Sequence, residues 1–445
     1  MAERMTEVPV AKAHEVLSRW LLADGLPVEC DLEKSRGAYL HDARTGKEYL
    51  DFFSFYAARP LGFNHPKLRS EDFLERLRQA DVLQAVGSVG ESQERARFAE
   101  VFSRVALGND FRASHFTAGS DLGAEGALRA ALAWKQGKNE AARRPKKSGR
   151  IVSFRQGCHG RSGYALALCD SPLAGAGGSA ERQDWPRVTN PKMRFPFDAA
   201  ALFEVEALER AALVELEAIF AADAHATAAI IIEPIQSEGG DNHFRTEFFR
   251  ALRALCDEHE ALLIFDEVQT GFGVTGKWWA WQHHDVRPDL LIFGKKTQVG
   301  GFAATARLDE VAQRETQPEP GEGSFGGTLV DLVRCERVME IIVEEHLLDS
   351  VQAMGRYLMK LLFDQAASHV EISNVRGRGL LAAFDVPSRD ERDRLVRACL
   401  DEELIVLPCG ERSVQFRPAL DIDADAIGRA AAQLEAALRR AYARK

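Results

Sequence analysis

A chain of 445 residues, 46% hydrophobic and 28% charged, is long enough to bury a large core and to divide into two domains. Its net charge of −10, with no basic run longer than Arg143-Arg144-Pro145-Lys146-Lys147, excludes nucleic acid as the main partner. Seven cysteines without a CxxC spacing fit reduced thiols. There is no signal-peptide core and no uncharged apolar run of bilayer length, so the expectation is a cytoplasmic protein with no membrane partner.

In chain order, the pattern predicts a short helix over 11–22. A hairpin follows, with arms 37–42 and 47–51 around Thr45-Gly46. Helices are expected over 92–105 and 123–136, the second opened by Ser120 and Asp121. Residues 228–234, 261–267 and 290–294 are continuous apolar runs, with an amphipathic helix over 247–259 between the first two. Apolar strands separated by helices imply a parallel sheet covered on both faces. Ligands of such sheets sit beyond the carboxyl ends of the strands, and these three end at Glu233, Asp266 and Lys295. The Pro/Gly-rich stretch 317–323 reads as a loop. A long helix over 330–346 and short strands over 404–408 and 413–418 then change the character of the chain. The expected fold class is α/β: a large domain (71–330) with a mostly parallel sheet covered by helices, and a smaller α+β domain from the N-terminal segment (1–70) and the C-terminal part (331–445).

Asp266 opens the glycine-rich turn Asp266-Glu267-Val268-Gln269-Thr270-Gly271-Phe272-Gly273, and Lys295 follows the next apolar strand. Neighbouring strand ends place a carboxylate and an amine around one site. Pyridoxal chemistry needs that pair: the amine forms a Schiff base and shuttles a proton, and the carboxylate keeps the pyridine nitrogen protonated. On residue types alone, a structural ion pair at a sheet edge explains the same two residues.

The string from Phe265 to Gly273, with Pro288-Asp289-Leu290 and Gly294-Lys295, resembles the signature of class III aminotransferases of pyridoxal-phosphate fold type I. The resemblance runs nearly the whole chain and is nearest to the lysine 6-aminotransferase branch. It includes Leu61-Gly62-Phe63-Asn64-His65-Pro66, His159-Gly160-Arg161-Ser162-Gly163-Tyr164, Glu233-Pro234-Ile235-Gln236, Glu238-Gly239-Gly240-Asp241, Arg376-Gly377-Arg378-Gly379 and Phe416-Arg417-Pro418. It implies that Lys295 is the Schiff-base lysine for pyridoxal 5′-phosphate. Asp266 would pair with the pyridine nitrogen, Gln269 would sit near the phenolic oxygen, and Cys158 and His159 would lie in the segment over the ring. Ser120 and Asp121 would form the phosphate cup, where a helix N-terminus suits a dianion. Ser324 would reach the phosphate from the other subunit, making a homodimer with shared active sites.

For substrates, the resemblance implies Arg161 and Arg417 as carboxylate clamps. Glu238 would pair with one arginine and move aside, so that one pocket serves an amino donor, lysine by its ε-amine, and then 2-oxoglutarate. The chain departs from the family at Ser120-Asp121, at Cys158 where an aromatic residue is usual, at Ser237 where glycine is usual, and at Arg59-Pro60. Asp121 beside a phosphate is repulsive unless it turns away or caps the helix. Cys158 gives up ring stacking, Ser237 stiffens the loop before Glu238, and Arg59 adds a charge near the substrate mouth. These departures leave two alternatives: the same cofactor with another reaction, such as epimerisation or decarboxylation, and a non-catalytic dimer.

Overall fold

The computed structural model describes residues 8–21, 26–83, 92–145, 147, 149–170, 184–311 and 327–443. The strands are β1 (Tyr39–His41), β2 (Glu48–Asp51), β3 (Ala113–Thr117), β4 (Arg150–Phe154), β5 (Arg187–Val188), β6 (Thr227–Ile232), β7 (Ile235–Gln236), β8 (Asn242–His243), β9 (Leu262–Asp266), β10 (Leu290–Phe293), β11 (Gly300–Ala304), β12 (Ser373–Arg378), β13 (Leu381–Asp385), β14 (Leu404–Ile405), β15 (Leu407–Cys409) and β16 (Ser413–Phe416). The helices used below are α1 (Ala13–Trp20), α2 (Ser120–Ala141), α3 (Gly163–Leu168), α4 (Thr246–Glu258), α5 (Leu329–Glu344) and α6 (Leu347–Ser368).

Seven strands form one sheet in the order β3-β11-β10-β9-β6-β4-β5. The pairs β10/β9, β9/β6, β6/β4 and β4/β5 are parallel, and β11 runs against both of its neighbours. Side chains alternate between faces along each strand. Ile230, Ile232, Leu263, Phe265, Leu291 and Phe293 enter one buried cluster. Ala229, Ile231, Leu262, Ile264, Leu290 and Ile292 enter another, against Ala124, Ala127, Leu128 and Ala131 of α2. Burial on both faces is why the sequence reads as unbroken apolar runs instead of alternating ones.

Two smaller sheets lie outside this one. β12-β13-β16-β15 is antiparallel throughout. The hairpin β1/β2 is joined by β14, which pairs in parallel with β2 through Leu404 opposite Leu50. The stretch expected as one strand over 404–408 thus divides: Leu404–Ile405 goes to the N-terminal hairpin and Leu407–Cys409 to the antiparallel sheet.

The helix expected over 92–105 ends at Val101 and continues as a wider turn, Phe102–Ala106, whose Phe102 packs on Phe98, Phe116, Phe293 and Trp279. The helix expected over 123–136 is longer, and Ser120 and Asp121 are its first two residues. The expected loop 317–323 lies outside the described residues. Among the described residues, no helix is long and apolar enough to cross a membrane.

Candidate active site

The carboxyl ends of the parallel strands converge on a cavity of about 640 Å³. β6 delivers Glu233, β9 delivers Asp266 with Val268 and Gln269 just beyond, and β10 delivers Lys295. The loop after β4 brings Cys158, His159 and Arg161, and the start of α2 brings Ser120 and Asp121. Glu238 follows β7, and Gln415 and Arg417 come from the far end of the chain.

Lys295 takes a left-handed backbone conformation, φ 55°, which costs a non-glycine residue roughly 1–2 kcal/mol and is held only by its surroundings. Its Nζ donates to the carbonyl of Tyr56 at 2.9 Å. Burial lowers the pKa of this amine; Arg417 and Arg161 push it the same way, while Glu238 and Asp266 oppose them. The neutral, nucleophilic form is therefore reached at lower pH than for an exposed lysine. The neighbouring Lys296 is buried with its Nζ toward the carbonyl of Gln269, 3.5 Å away, and does not line the cavity.

Asp266 accepts from His159 Nδ1 at 2.9 Å through one carboxylate oxygen and from the Val268 N–H at 3.1 Å through the other. Both side chains are buried, so the carboxylate is fixed in orientation. Glu233 lies deeper. Burial pushes its carboxyl well above the usual range, and the Asp266 charge adds to this. It accepts the Cys158 N–H at 3.0 Å and the Ser237 N–H at 3.2 Å, tying together the two loops that carry the arginine and its acid. The Cys158 thiol is pushed up by its hydrogen bond with Cys169, then by burial and by Glu238.

The start of α2 offers free backbone N–H groups to the cavity. It can do so because Gly294 and Gly300 carry no side chain: a Cβ on Gly300 would stand 1.9 Å from the Gly119 carbonyl, and one on Gly294 2.5 Å from Ser120 Cβ. The helix start is thereby pressed against the residue preceding Lys295. Asp121 is exposed and makes no cap bond to the helix.

The two arginines sit differently. Arg161 donates to Glu238 at 2.8 Å, with side chains 64% and 24% exposed. Arg417 is bound to Asp241, with side chains 1% and 2% exposed, and also donates to Ser237 Oγ at 3.1 Å. Arg376 braces this pair by donating to the carbonyls of Gly240 and Asp241.

Ten of the residues expected from sequence therefore share one cavity: Lys295, Asp266, Gln269, Cys158, His159, Ser120, Asp121, Arg161, Glu238 and Arg417. Arg59 does not line it. Its guanidinium lies over the Phe63 ring, 3.4 Å from the centroid, and donates to the Leu61 carbonyl at 3.3 Å. Ser324 lies outside the described residues. Sequence reasoning missed Asp241 as the partner of Arg417, Gln415 as an acceptor for Ser237, and the Tyr56 carbonyl opposite Lys295. Asp241 stood in view within Glu238-Gly239-Gly240-Asp241, but nothing local points it at a residue 176 positions away.

Fold and site together define a class. The chain belongs to the aminotransferase class-III family, which matches residues 23–438. It is 43% identical over 432 residues to the L-lysine-epsilon aminotransferase of Mycobacterium tuberculosis, covering 96% of this chain and 95% of that one. The L-lysine-epsilon aminotransferase of Amycolatopsis lactamdurans is 39% identical over 428 residues, covering 95% and 94%. The solved structure of the lysine aminotransferase from M. tuberculosis superposes with a TM-score of 0.93 at 42% identity, covering 98% of this chain and 100% of that one.

Enzymes of this class work with pyridoxal 5′-phosphate, and the residues present fit it. His159 Nε2 is buried without a hydrogen-bond partner, Asp266 is aimed by two donors, and the glycine-lined helix start presents free N–H groups within reach of a half-buried amine. The chain is a pyridoxal-phosphate-dependent aminotransferase, and so handles an amino donor and an oxo-acid acceptor.

Proposed function

We propose that the enzyme moves the ε-amino group of L-lysine, or of a close analogue, to 2-oxoglutarate, giving a 6-semialdehyde and glutamate in a ping-pong cycle. The observation that carries this is the single cavity with one amine, one oriented carboxylate and two arginines, each arginine with its own acid. Names of relatives at 39–43% identity supply the donor.

In this reading Lys295 binds the cofactor covalently and moves the proton at the reacting carbon. Asp266, aimed by His159, holds the pyridine nitrogen protonated, and Gln269 lies by the phenolic oxygen. The start of α2, with Ser120 and Asp121, takes the phosphate, and Cys158 and His159 cover the ring face. When bound, pyridoxal phosphate supplies an electron sink for the carbon carrying the amino group. The buried Arg417 is a permanent carboxylate anchor, and Arg161, whose pairing with Glu238 is half in water, is the arginine that opens and closes. With Glu238 on Arg161, Arg417, itself paired with Asp241 but with Nε unpartnered, is the arginine left to meet a substrate carboxylate, which suits a monocarboxylate donor. With Glu238 displaced, it suits a dicarboxylate acceptor. Arg59 positions the 59–63 turn by stacking and has no substrate role in this proposal.

A homodimer completed by Ser324 across the interface is part of the same proposal, as are the domain limits 1–70, 71–330 and 331–445; the pairing of β14 with β2 supports joining the first segment to the last. The test is an absorbance spectrum with pyridoxal phosphate, before and after L-lysine. The expected result is a visible band that lysine moves into the ultraviolet and 2-oxoglutarate restores, and that Lys295→Ala never shows. A band that lysine leaves unchanged overturns the donor. Turnover without any oxo acid overturns the transfer.

A further inference from the structure

A second cavity, about 610 Å³, lies away from the site just described, where the segment 275–283 meets α6 and the turn after β12. Its charged lining is Lys277, Arg356, Lys360, Asp364 and Arg378, with His283 beside them. Lys360 is paired with Asp364 at 2.6 Å. Lys277 donates to the Gln282 carbonyl at 2.7 Å and has no acid partner among the described residues. The guanidinium groups of Arg356 and Arg378 have neither a hydrogen bond nor an ion pair among the described residues.

Arg378 is the unusual member. It is half-buried, and burial alone lowers its pKa, with no neighbouring carboxylate to offset it. Two residues earlier, Arg376 shows how this chain normally treats a buried guanidinium: it bonds to the carbonyls of Asn374, Gly240 and Asp241 and pairs with Asp385 at 2.9 Å. The Arg378 charge is felt nearby. His283 is pushed down to about 3 and His284 to about 4, first by burial and then by Arg378, so both rings are neutral and add no counter-charge.

The position of Arg378 is fixed by backbone packing. Gly379 is left-handed, φ +59°, and a Cβ there would stand 2.4 Å from the Val274 carbonyl; a Cβ on Gly355 of α6 would stand 2.2 Å from the Gly379 carbonyl. Leu380 N–H closes the contact on the Val274 carbonyl at 2.9 Å. Three chain segments therefore touch main chain to main chain, which fixes the base of the Arg378 side chain at the cavity wall. A half-buried guanidinium with no acid partner gains from a bound anion, and its planar fork matches the paired oxygens of a carboxylate or phosphate.

We propose that this cavity binds a small oxyanion of two or more negative charges, a phosphate group or a dicarboxylate, with Arg378 as the central donor and Arg356 and Lys277 at the rim. The anion neutralises the desolvated charge and bridges α6 to the segment that follows the Asp266 turn.

The experiment is isothermal titration of the cofactor-loaded protein at low ionic strength with inorganic phosphate and, separately, with succinate. The active-site arginines also attract these anions, so Arg378→Gln and Arg356→Gln are read against Arg161→Gln. The expected result is a binding event that Arg161→Gln keeps, that Arg378→Gln weakens by roughly tenfold or more, and that Arg356→Gln weakens by less, in line with the loss of charge-assisted hydrogen bonds. Phosphate bound without succinate names a phosphate group as the ligand, the reverse names a dicarboxylate, and either supports the site. Identical isotherms for the unmodified protein, Arg378→Gln and Arg356→Gln overturn it. Arg356 is exposed, so its variant decides the matter even where Arg378→Gln fails to fold.

Discussion

The two arginine–carboxylate pairs of the active site differ in what water does for them. Arg161–Glu238 stands at the mouth, where solvent screens it; a pair of this kind contributes under about 1 kcal/mol and opens readily. Arg417–Asp241 is sealed under Arg376 and Ser237, where removing one partner strands a charge at a cost of about 3–5 kcal/mol. The same chemical pairing is thus screened and weakly held in one place and desolvated and firmly held in the other. Burial is the variable that separates them.

The sharpest way to break the contrast is Asp241→Ala. Stranding Arg417 is expected to destabilise the fold by about 3–5 kcal/mol, read as a drop in the urea midpoint, whereas Glu238→Ala is expected to stay within about 1 kcal/mol. A matching result for the two variants would erase the distinction. Next in size, Arg161→Gln should raise KM for the dicarboxylate acceptor by roughly tenfold, the loss of a charged hydrogen bond, with little change in thermal stability. Steady-state kinetics on both substrates would measure it; an equal rise for the monocarboxylate donor would mean that Arg161 does not discriminate.

A smaller effect is expected on the cofactor side. Asp121 adds a negative charge at the start of α2, the proposed phosphate site, so Asp121→Ala should tighten cofactor binding by about 1 kcal/mol, roughly fivefold, measured by titrating apoenzyme. The smallest concerns the pH at which Lys295 becomes nucleophilic. Its pKa lies below the ordinary lysine value, so cofactor loading should speed up as pH rises and level off earlier than for a free lysine. Glu238 holds that pKa up, so Glu238→Gln should move the midpoint further down. A midpoint moving upward would reverse the sign of the assigned interaction.

Much of this architecture can be read from the chain because burial on both sheet faces leaves an unmistakable mark. Residues 228–232, 262–265 and 290–293 are apolar at every position, and the polar residues that end them are the ones gathered at the cavity. Residues whose meaning depends on distant partners are less legible. Asp241 looks like a turn acid until Arg417 arrives from just beyond β16, and Ser237 looks like a stiffened glycine position until its hydroxyl is seen between Arg417 and Gln415. Arg59 invited a substrate role because it stands before Leu61-Gly62, yet its charge is spent on Phe63, four residues on, by a turn geometry that no spacing rule foretells.

The bracing of Arg417 also ties distant parts of the chain together. Lys295, Asp266, His159 and the start of α2 all belong to the first three hundred residues, whereas the anchor, its brace Arg376 and the strand that leads to Arg417 arrive only in the last seventy. A chain clipped before β12 would lose Arg376 and Arg417 together and leave Asp241 buried without its cation. The C-terminal strands are thus part of the cavity wall, through Leu407, Pro408, Gln415 and Arg417, and damage to them reaches the site without touching Lys295.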